Sequence, residues 1–326
     1  MTEADRIFSR FPDFIKEFIY RNNWSELRDI QLDAARVIFD TDSNLLLSSS
    51  TASGKTEAAF FPIITDILSR PECAESISVL YIAPLKSLIN DQFSRLDELL
   101  DMTGITVTHW HGDVGASHKN KLLKNPEGIL QITPESLESM LMNRPNDIPR
   151  LFANLRFVVI DEIHSLIGTD RGNQVICHLS RISSLIGYNP RRIGLSATIG
   201  DLELASRWLG DGSGRKTEAP IPRRTPLKWR LGLEHFYIQN PHEIQSHAPT
   251  LATAPSEDKG GRALLDPGYE FLYDALDGKK ALVFSNSREE TEYVTATLRQ
   301  ICKARGDKDV FRVDSEYRSA QDRVST

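Results

Sequence analysis

Three short segments carry residue types that together can bind and split a nucleoside triphosphate: Thr51-Ala-Ser-Gly-Lys-Thr-Glu57, Asp161-Glu-Ile-His164 and Ser196-Ala-Thr198. In the first, Ser53, Gly54, Lys55, Thr56 and Glu57 stand between an apolar run and a helical pattern. Backbone N–H groups of such a turn, together with the positive end of the helix, cradle phosphates. Lys55 would reach the β- and γ-phosphates and the Thr56 hydroxyl would ligate Mg²⁺. The full GxxxxGK[ST] pattern is not kept: Ser49 stands at the first glycine position and Ala52 at a middle one. Both are small, which leaves the loop possible with altered backbone angles; the alternative is a chance Gly-Lys-Thr.

The second segment ends the apolar run Phe157–Ile160 with two carboxylates. Asp161 would hold Mg²⁺ directly or through water, and Glu162 would orient and deprotonate the attacking water. Phosphoryl transfer needs positioning and charge neutralisation more than covalent help. On its own an acidic pair after a strand reads as a helix N-cap; beside the phosphate loop it reads as a hydrolytic site. His164 would hydrogen-bond to Ser196 or Thr198 and so link the acids to the third segment, a small polar turn suited to reporting hydrolysis. The plainer reading of His164 is a structural hydrogen-bonder.

These residues need a scaffold, and the chain supplies one. Apolar runs recur at Asn44–Leu47, Ser78–Ala83, Ile105–Trp110, Gly128–Ile132, Phe157–Ile160 and Arg192–Leu195. They are continuous rather than alternating, which suits strands buried on both faces of a parallel sheet. Helical periodicity lies between them, at Lys55–Leu68, Leu85–Leu100, Pro134–Met142 and Gln174–Ile186, and earlier over residues 11–40. The class is therefore α/β, a P-loop domain with a mostly parallel sheet. It is expected to span residues 1–212. Residues 213–266 read as a connector, with a strand at Leu227–Ile238 followed by a Pro-, Ser-, His- and Thr-rich stretch. From 267 a second, incomplete unit of the same kind is expected: helix Gly268–Leu276, strand Lys280–Ser285, helix Arg288–Cys302 and strand Val310–Val313.

The 326 residues are 40% apolar and 26% charged, an ordinary balance for a globular protein. No apolar run approaches the ~18 residues of a membrane span, so no membrane partner is expected. The three cysteines, Cys73, Cys177 and Cys302, are far apart and suggest neither disulfides nor a zinc site; a reducing, cytoplasmic setting fits. A formal charge of -6 argues against coating nucleic acid by bulk positive charge. Six basic residues and one acid lie between Arg215 and Arg230, with Trp229 among them. This is either a strand contact or a solvated face. His109 and His111 alternate as metal ligands would, but no third ligand stands at a telling spacing. Pro84-Leu-Lys86 and Thr133-Pro-Glu135 each follow a strand and start a helix, so either could hold a phosphate or be an ordinary capped helix start.

Taken in order, Gln31, Thr51–Glu57, Pro84-Leu-Lys86, Thr133-Pro-Glu135, Asp161–His164, Ser196–Thr198 and Val283-Phe-Ser-Asn286 resemble the motifs of superfamily 2 helicases. Tyr81–Asp91, Trp110-His-Gly-Asp113 and Asp161–Gly172 look most like the large helicase-related (Lhr-type) branch of the DEAD/DEAH-box proteins. The resemblance covers about residues 27–210, and 279–303 more weakly. It implies a two-lobed ATPase with RecA-like folds that uses ATP and Mg²⁺, with single- or double-stranded DNA or RNA lying across both lobes. It further implies that Gln31 reads the adenine edge through its amide. Pro84, Lys86, Thr133 and Glu135 would touch the sugar-phosphate backbone, largely without regard to sequence. Ser196 and Thr198 would couple hydrolysis to strand movement, and Arg171, beside Gly172, would make an inter-lobe contact.

One departure is large. The family's second lobe supplies late motifs and an arginine finger worth roughly 10³–10⁵ in rate, and Thr326 precedes them. Phe311–Arg318 also lacks the His-His-Gly often found there. The expectation is thus the N-terminal part of an ATP-dependent helicase, completed by a further helicase segment or a protein partner. The alternative is a nucleotide-gated binding module with little hydrolysis; a small-molecule kinase is a weaker third.

Overall fold

The computed structural model describes residues 2–49, 54–85, 89, 100, 103–112, 114–197, 199–221, 231–236, 267–279 and 281–307. The chain forms two compact units, residues 1–225 and 226–326.

The first unit is built on a seven-stranded sheet in the order β3-β4-β2-β5-β6-β1-β7, with every pairing parallel. The strands are β1 Asn44–Ser48, β2 Ile77–Ile82, β3 Val107–Trp110, β4 Gly128–Ile132, β5 Phe157–Ile160, β6 Arg191–Ser196 and β7 Thr217–Glu218. Strands β2, β4, β5 and β6 are buried along their whole length, as continuous apolar runs require when helices cover both faces.

Helices α1 Glu3–Arg10, α2 Asp13–Arg21, α3 Asp29–Asp40 and α4 Lys55–Leu68 supply one core, in which Phe11, Phe60 and Phe61 pack over Leu45, Tyr81 and Val159. On the other face lie α5 Ala116–Lys124, α6 Pro134–Asn143, α7 Ile148–Leu151, α8 Asp170–Ile186 and α9 Leu202–Gly210. They bury Leu137, Leu151, Val175, Leu179 and Leu209 against Leu46, Leu80, Val158 and Ile160.

Two arginines fix the amino-terminal end of β6. Arg191 and Arg192 are each 1% exposed, and side chains of successive strand residues leave opposite faces of the sheet. Arg191 donates to the carbonyls of Val37 and Ile38, at 3.2 and 2.9 Å, and to that of Ser43 at 2.7 Å, closing the carboxyl end of α3. Arg192 donates to the carbonyls of Leu209, at 3.1 Å, and Asp211, at 2.5 Å, closing α9. Burial pulls both guanidinium pKa values down to about 10.

Strand β7 takes part of the segment 213–266 into the sheet, and Arg215 donates to the carbonyls of Asp42 and Asn189. Most of the basic stretch, Trp229 included, lies outside the described residues. So do Val310–Val313 and most of Leu85–Leu100. The strand expected at Leu227–Ile238 is not formed over its described part, 231–236.

In the second unit, helices α10 Pro267–Leu276 and α11 Arg288–Arg305 pack through Tyr273, Val294, Leu298 and Ile301. The strand expected at Lys280–Ser285 is not formed over 281–285. A strand needs a neighbour to take its backbone hydrogen bonds; among the described residues none lies beside it, and Leu282 and Phe284 are 85% and 88% exposed.

Candidate active site

Strands β1, β6 and β5 are neighbours, so a parallel sheet brings their carboxyl ends to one edge. Ligands of open α/β sheets bind there. The Ser49 N–H, just beyond β1, donates to the Ser196 carbonyl at the end of β6 at 3.2 Å. Asp161 follows β5, and its N–H donates to the Ile82 carbonyl of β2 at 2.8 Å.

The described end of the phosphate loop starts at Gly54, with φ +79°. An L side chain is strained there, and a Cβ would also come within 3.1 Å of the Gln31 Nε2. Lys55 opens α4, followed by Thr56 and by Glu57, the acid of its first turn. The Lys55 Nζ donates to the Ser49 carbonyl at 2.6 Å. Burial draws its pKa down, against the opposing pull of Glu162 and Asp161.

Asp161 is 7% exposed. Its carboxylate accepts from the Tyr81 hydroxyl and, at 2.9 Å, from the Glu162 N–H. Burial pushes its pKa up; the bonds from Tyr81 and Glu162 and the charge of Lys55 pull the other way. Glu162 has φ +48°, a left-handed conformation uncommon for a residue with a side chain and typical of functional sites. The His164 Nδ1 lies 3.2 Å from the Glu162 Oε2 and 3.0 Å from the Ser196 Oγ. One ring nitrogen thus stands between the second acid and the β6 turn.

Gln31, in α3, is buried, 1% exposed. Its Oε1 accepts from the Arg28 N–H at 2.9 Å at the start of α3. Its Nε2 is buried with no hydrogen-bond partner among the described residues. A second group lies further along the same edge, after β2 and β4. Thr133 caps α6 by accepting from the Ser136 N–H at 3.3 Å. Arg171, in the first turn of α8, donates to the Glu135 carboxylate and to the Pro84 carbonyl, both at 2.6 Å. Ser53, Lys86 and Thr198 lie outside the described residues.

A family model, DEAD/DEAH box helicase, matches residues 28–205, more than half of the chain. The chain belongs to that family. The ATP-dependent helicase Lhr-Core of Methanothermobacter thermautotrophicus is 35% identical over 92% of this chain and 34% of its own length. The Lhr helicase/uracil glycosylase of Escherichia coli is 29% identical over 80% of this chain and 18% of its own. The solved structure of Mycobacterium smegmatis helicase Lhr bound to ssDNA and AMP-PNP aligns with a TM-score of 0.64 at 25% identity, covering 92% of this chain and 37% of that one. The chain thus spans about a third or less of the length of these relatives.

This DEAD/DEAH box protein also places beside Asp161 a residue whose contact the motifs did not point to. Tyr81 lies in the middle of an apolar run, where a tyrosine reads as core; only the neighbourhood of β2 and β5 shows that its hydroxyl reaches Asp161. His109 and His111 stack, with ring centroids 5.3 Å apart. No group of three potential metal ligands occurs among the described residues.

The site fits a nucleoside triphosphate with Mg²⁺. It offers a left-handed glycine whose Cβ would crowd the Gln31 amide, a buried donor with no acceptor among the described residues, a lysine beside the loop and a buried carboxylate. Among the described residues no helix is long and apolar enough to cross a membrane.

Proposed function

We propose that this chain supplies the ATP-hydrolysing part of a nucleic-acid helicase or translocase. The observation that carries the reading is the convergence of Lys55, Asp161, Glu162, His164 and Ser196 on the neighbouring ends of β1, β5 and β6. Gly54, Lys55, Thr56 and Glu57, with Ser53, hold the phosphates, and Gln31 turns its free amide N–H toward the base. Thr56 and Asp161 are the ligands for Mg²⁺, which when bound neutralises phosphate charge. Glu162 takes the proton of the attacking water, and its left-handed backbone aims the carboxylate. His164 keeps Glu162 in place while reporting to Ser196 and, beyond it, Thr198. Lys86 and Thr133 bind the strand, together with Pro84, Glu135 and the turns held by Arg171. The solved Lhr neighbour holds ssDNA and AMP-PNP, which supports a single strand as the track.

Turnover of Mg²⁺-ATP, measured with and without single-stranded DNA and RNA, tests this. Strand-stimulated turnover that Lys55→Ala abolishes is expected, and the stronger stimulator names the track. Glu162→Gln should keep nucleotide affinity and lose turnover; equal loss of both would remove Glu162 from its role.

A further inference from the structure

Two turns on the carboxyl edge, the one after β2 and the one that starts α6, are joined by a single side chain. The Arg171 Nε donates to the Glu135 Oε1, and its Nη2 to the Pro84 carbonyl, both at 2.6 Å. A planar guanidinium offers donors in a fixed fork, so it sets the angle between two acceptors as well as their distance; an ammonium does not. The Glu135 carboxylate is held below the usual carboxylate range: burial pushes its pKa up, and the bond and charge of Arg171, with hydrogen bonds from the Glu135 N–H and Thr133, together more than offset this. A free carboxylate beside a phosphate would repel it, and pairing with Arg171 removes that obstacle.

Arg171 is itself anchored to the hydrolytic residues. The Ser165 N–H and hydroxyl both donate to the Glu162 carbonyl, at 2.9 and 2.8 Å. The Leu166 N–H donates to the Ile163 carbonyl at 2.9 Å, and the Leu166 carbonyl accepts from the Thr169 N–H and hydroxyl, at 3.1 and 2.7 Å. The Thr169 hydroxyl in turn accepts from the Gly172 N–H at 3.1 Å. A Cβ on Gly172 would stand 1.9 Å from the Leu166 carbonyl oxygen. Glycine is therefore what lets the first turn of α8 lie against the segment that follows Asp161 and Glu162.

We infer that Arg171 is a positioning residue that holds the Pro84 turn and the start of α6 as one surface and ties that surface, through Gly172 and Leu166, to the acidic pair. The inference rests on the proposed reading of this edge as the strand-binding one. It gives Arg171 a contact inside the first unit.

Amide hydrogen exchange on the whole chain decides it. In Arg171→Ala, exchange should rise about tenfold in peptides covering both the Ala83–Leu85 turn and Thr133–Leu137, as loss of hydrogen bonds to a charged group allows. Peptides from α4 should not change. Glu135→Ala should loosen the start of α6 alone. If Arg171→Ala loosens only one turn or neither, the inference is overturned. A second arm measures binding of a labelled oligothymidylate in the presence of AMP-PNP. Arg171→Ala should weaken it about tenfold, with affinity for a fluorescent ATP analogue unchanged within about twofold. Equal strand binding by variant and wild type overturns the inference while leaving the helicase reading intact. A wild-type chain that binds no strand removes the strand-binding reading, and hydrogen exchange still decides whether Arg171 joins the turns.

Discussion

Replacing Gly172 by alanine sets two physical effects against each other. Gly172 lies in the first turn of α8, where helix propensity alone favours alanine by about 1 kcal/mol. The structure requires the opposite sign. An added Cβ would lie 1.9 Å from the oxygen and 2.7 Å from the carbon of the Leu166 carbonyl, whereas an ordinary carbon–oxygen contact is about 3.3 Å or more. Backbone on one side must therefore move by more than about 1 Å, because no flexible side chain is there to yield. That movement breaks the bond from the Gly172 N–H to Thr169, a cap worth about 1 kcal/mol. Overpacking adds about 1–3 kcal/mol. With the propensity gain set against the lost cap, the net expectation is a loss of about 2 kcal/mol. For a unit of this size that is a fall in Tm of roughly 4–8 °C. Thermal and urea unfolding of Gly172→Ala measure it. Gly200→Ala serves as control, since a Cβ there meets nothing within 4 Å; its effect should stay within about 0.5 kcal/mol. A Gly172→Ala protein as stable as the wild type, or more so, would refute the account of how α8 is seated.

Other expectations follow from the same geometry. Arg191→Met removes the donor to the carbonyls of Ile38 and Ser43, while Val37 keeps its bonds from Thr41, and should lower stability by about 3 kcal/mol in urea unfolding; Arg191→Lys, with fewer donors, should recover only part of it. Tyr81→Phe should weaken the Mg²⁺ dependence of nucleotide binding about tenfold, as loss of a partner that orients a metal ligand does, and a titration with a fluorescent nucleotide reads this. In the free protein, Asp161→Asn should raise Tm at neutral pH, because burial has lifted the Asp161 pKa and its ionised form is disfavoured in the folded state. The folded state then binds more protons than the unfolded one between the ordinary carboxylate value, about 3.9, and the raised value. Stability from this group therefore falls as pH rises through that window. The advantage of Asn should be full above the window and absent below it, which melting curves across pH check directly.

How much of this was legible in the sequence varies by region. The sheet was, because strands buried on both faces appear as continuous apolar runs: Gly128–Ile132 and Phe157–Ile160 form as expected, and the others within a few residues. Strand β7 was not, since two residues show no periodicity. Helix α1 was missed as well; its signal is the Thr2 and Asp5 capping box rather than an apolar stripe. Helix α8 begins at Asp170, earlier than the expected Gln174, because an Arg-Gly pair reads as a turn until the cap from Thr169 and the Leu166 contact are seen. Local motifs gave the residues of the site and, for His164, its partner Ser196, but not the other partners. Tyr81 to Asp161 and Arg171 to Pro84 join residues 80 and 87 positions apart, and no local pattern carries such a distance.

The paired arginines of β6 also set which way that strand can lie. Side chains alternate across a sheet, so a slip of one residue would send Arg191 toward α9 and Arg192 toward α3, and turn Ile193 and Leu195 to the wrong core. Each guanidinium would then be buried away from the carbonyls that now receive it. An apolar strand tolerates misregister far better than one carrying two committed charges. Arg191 and Arg192 thus act as a key cut for one alignment only. The far end of the same strand carries Ser196, so the charges at one edge of the sheet determine that this hydroxyl, and not a neighbour, meets His164 at the other.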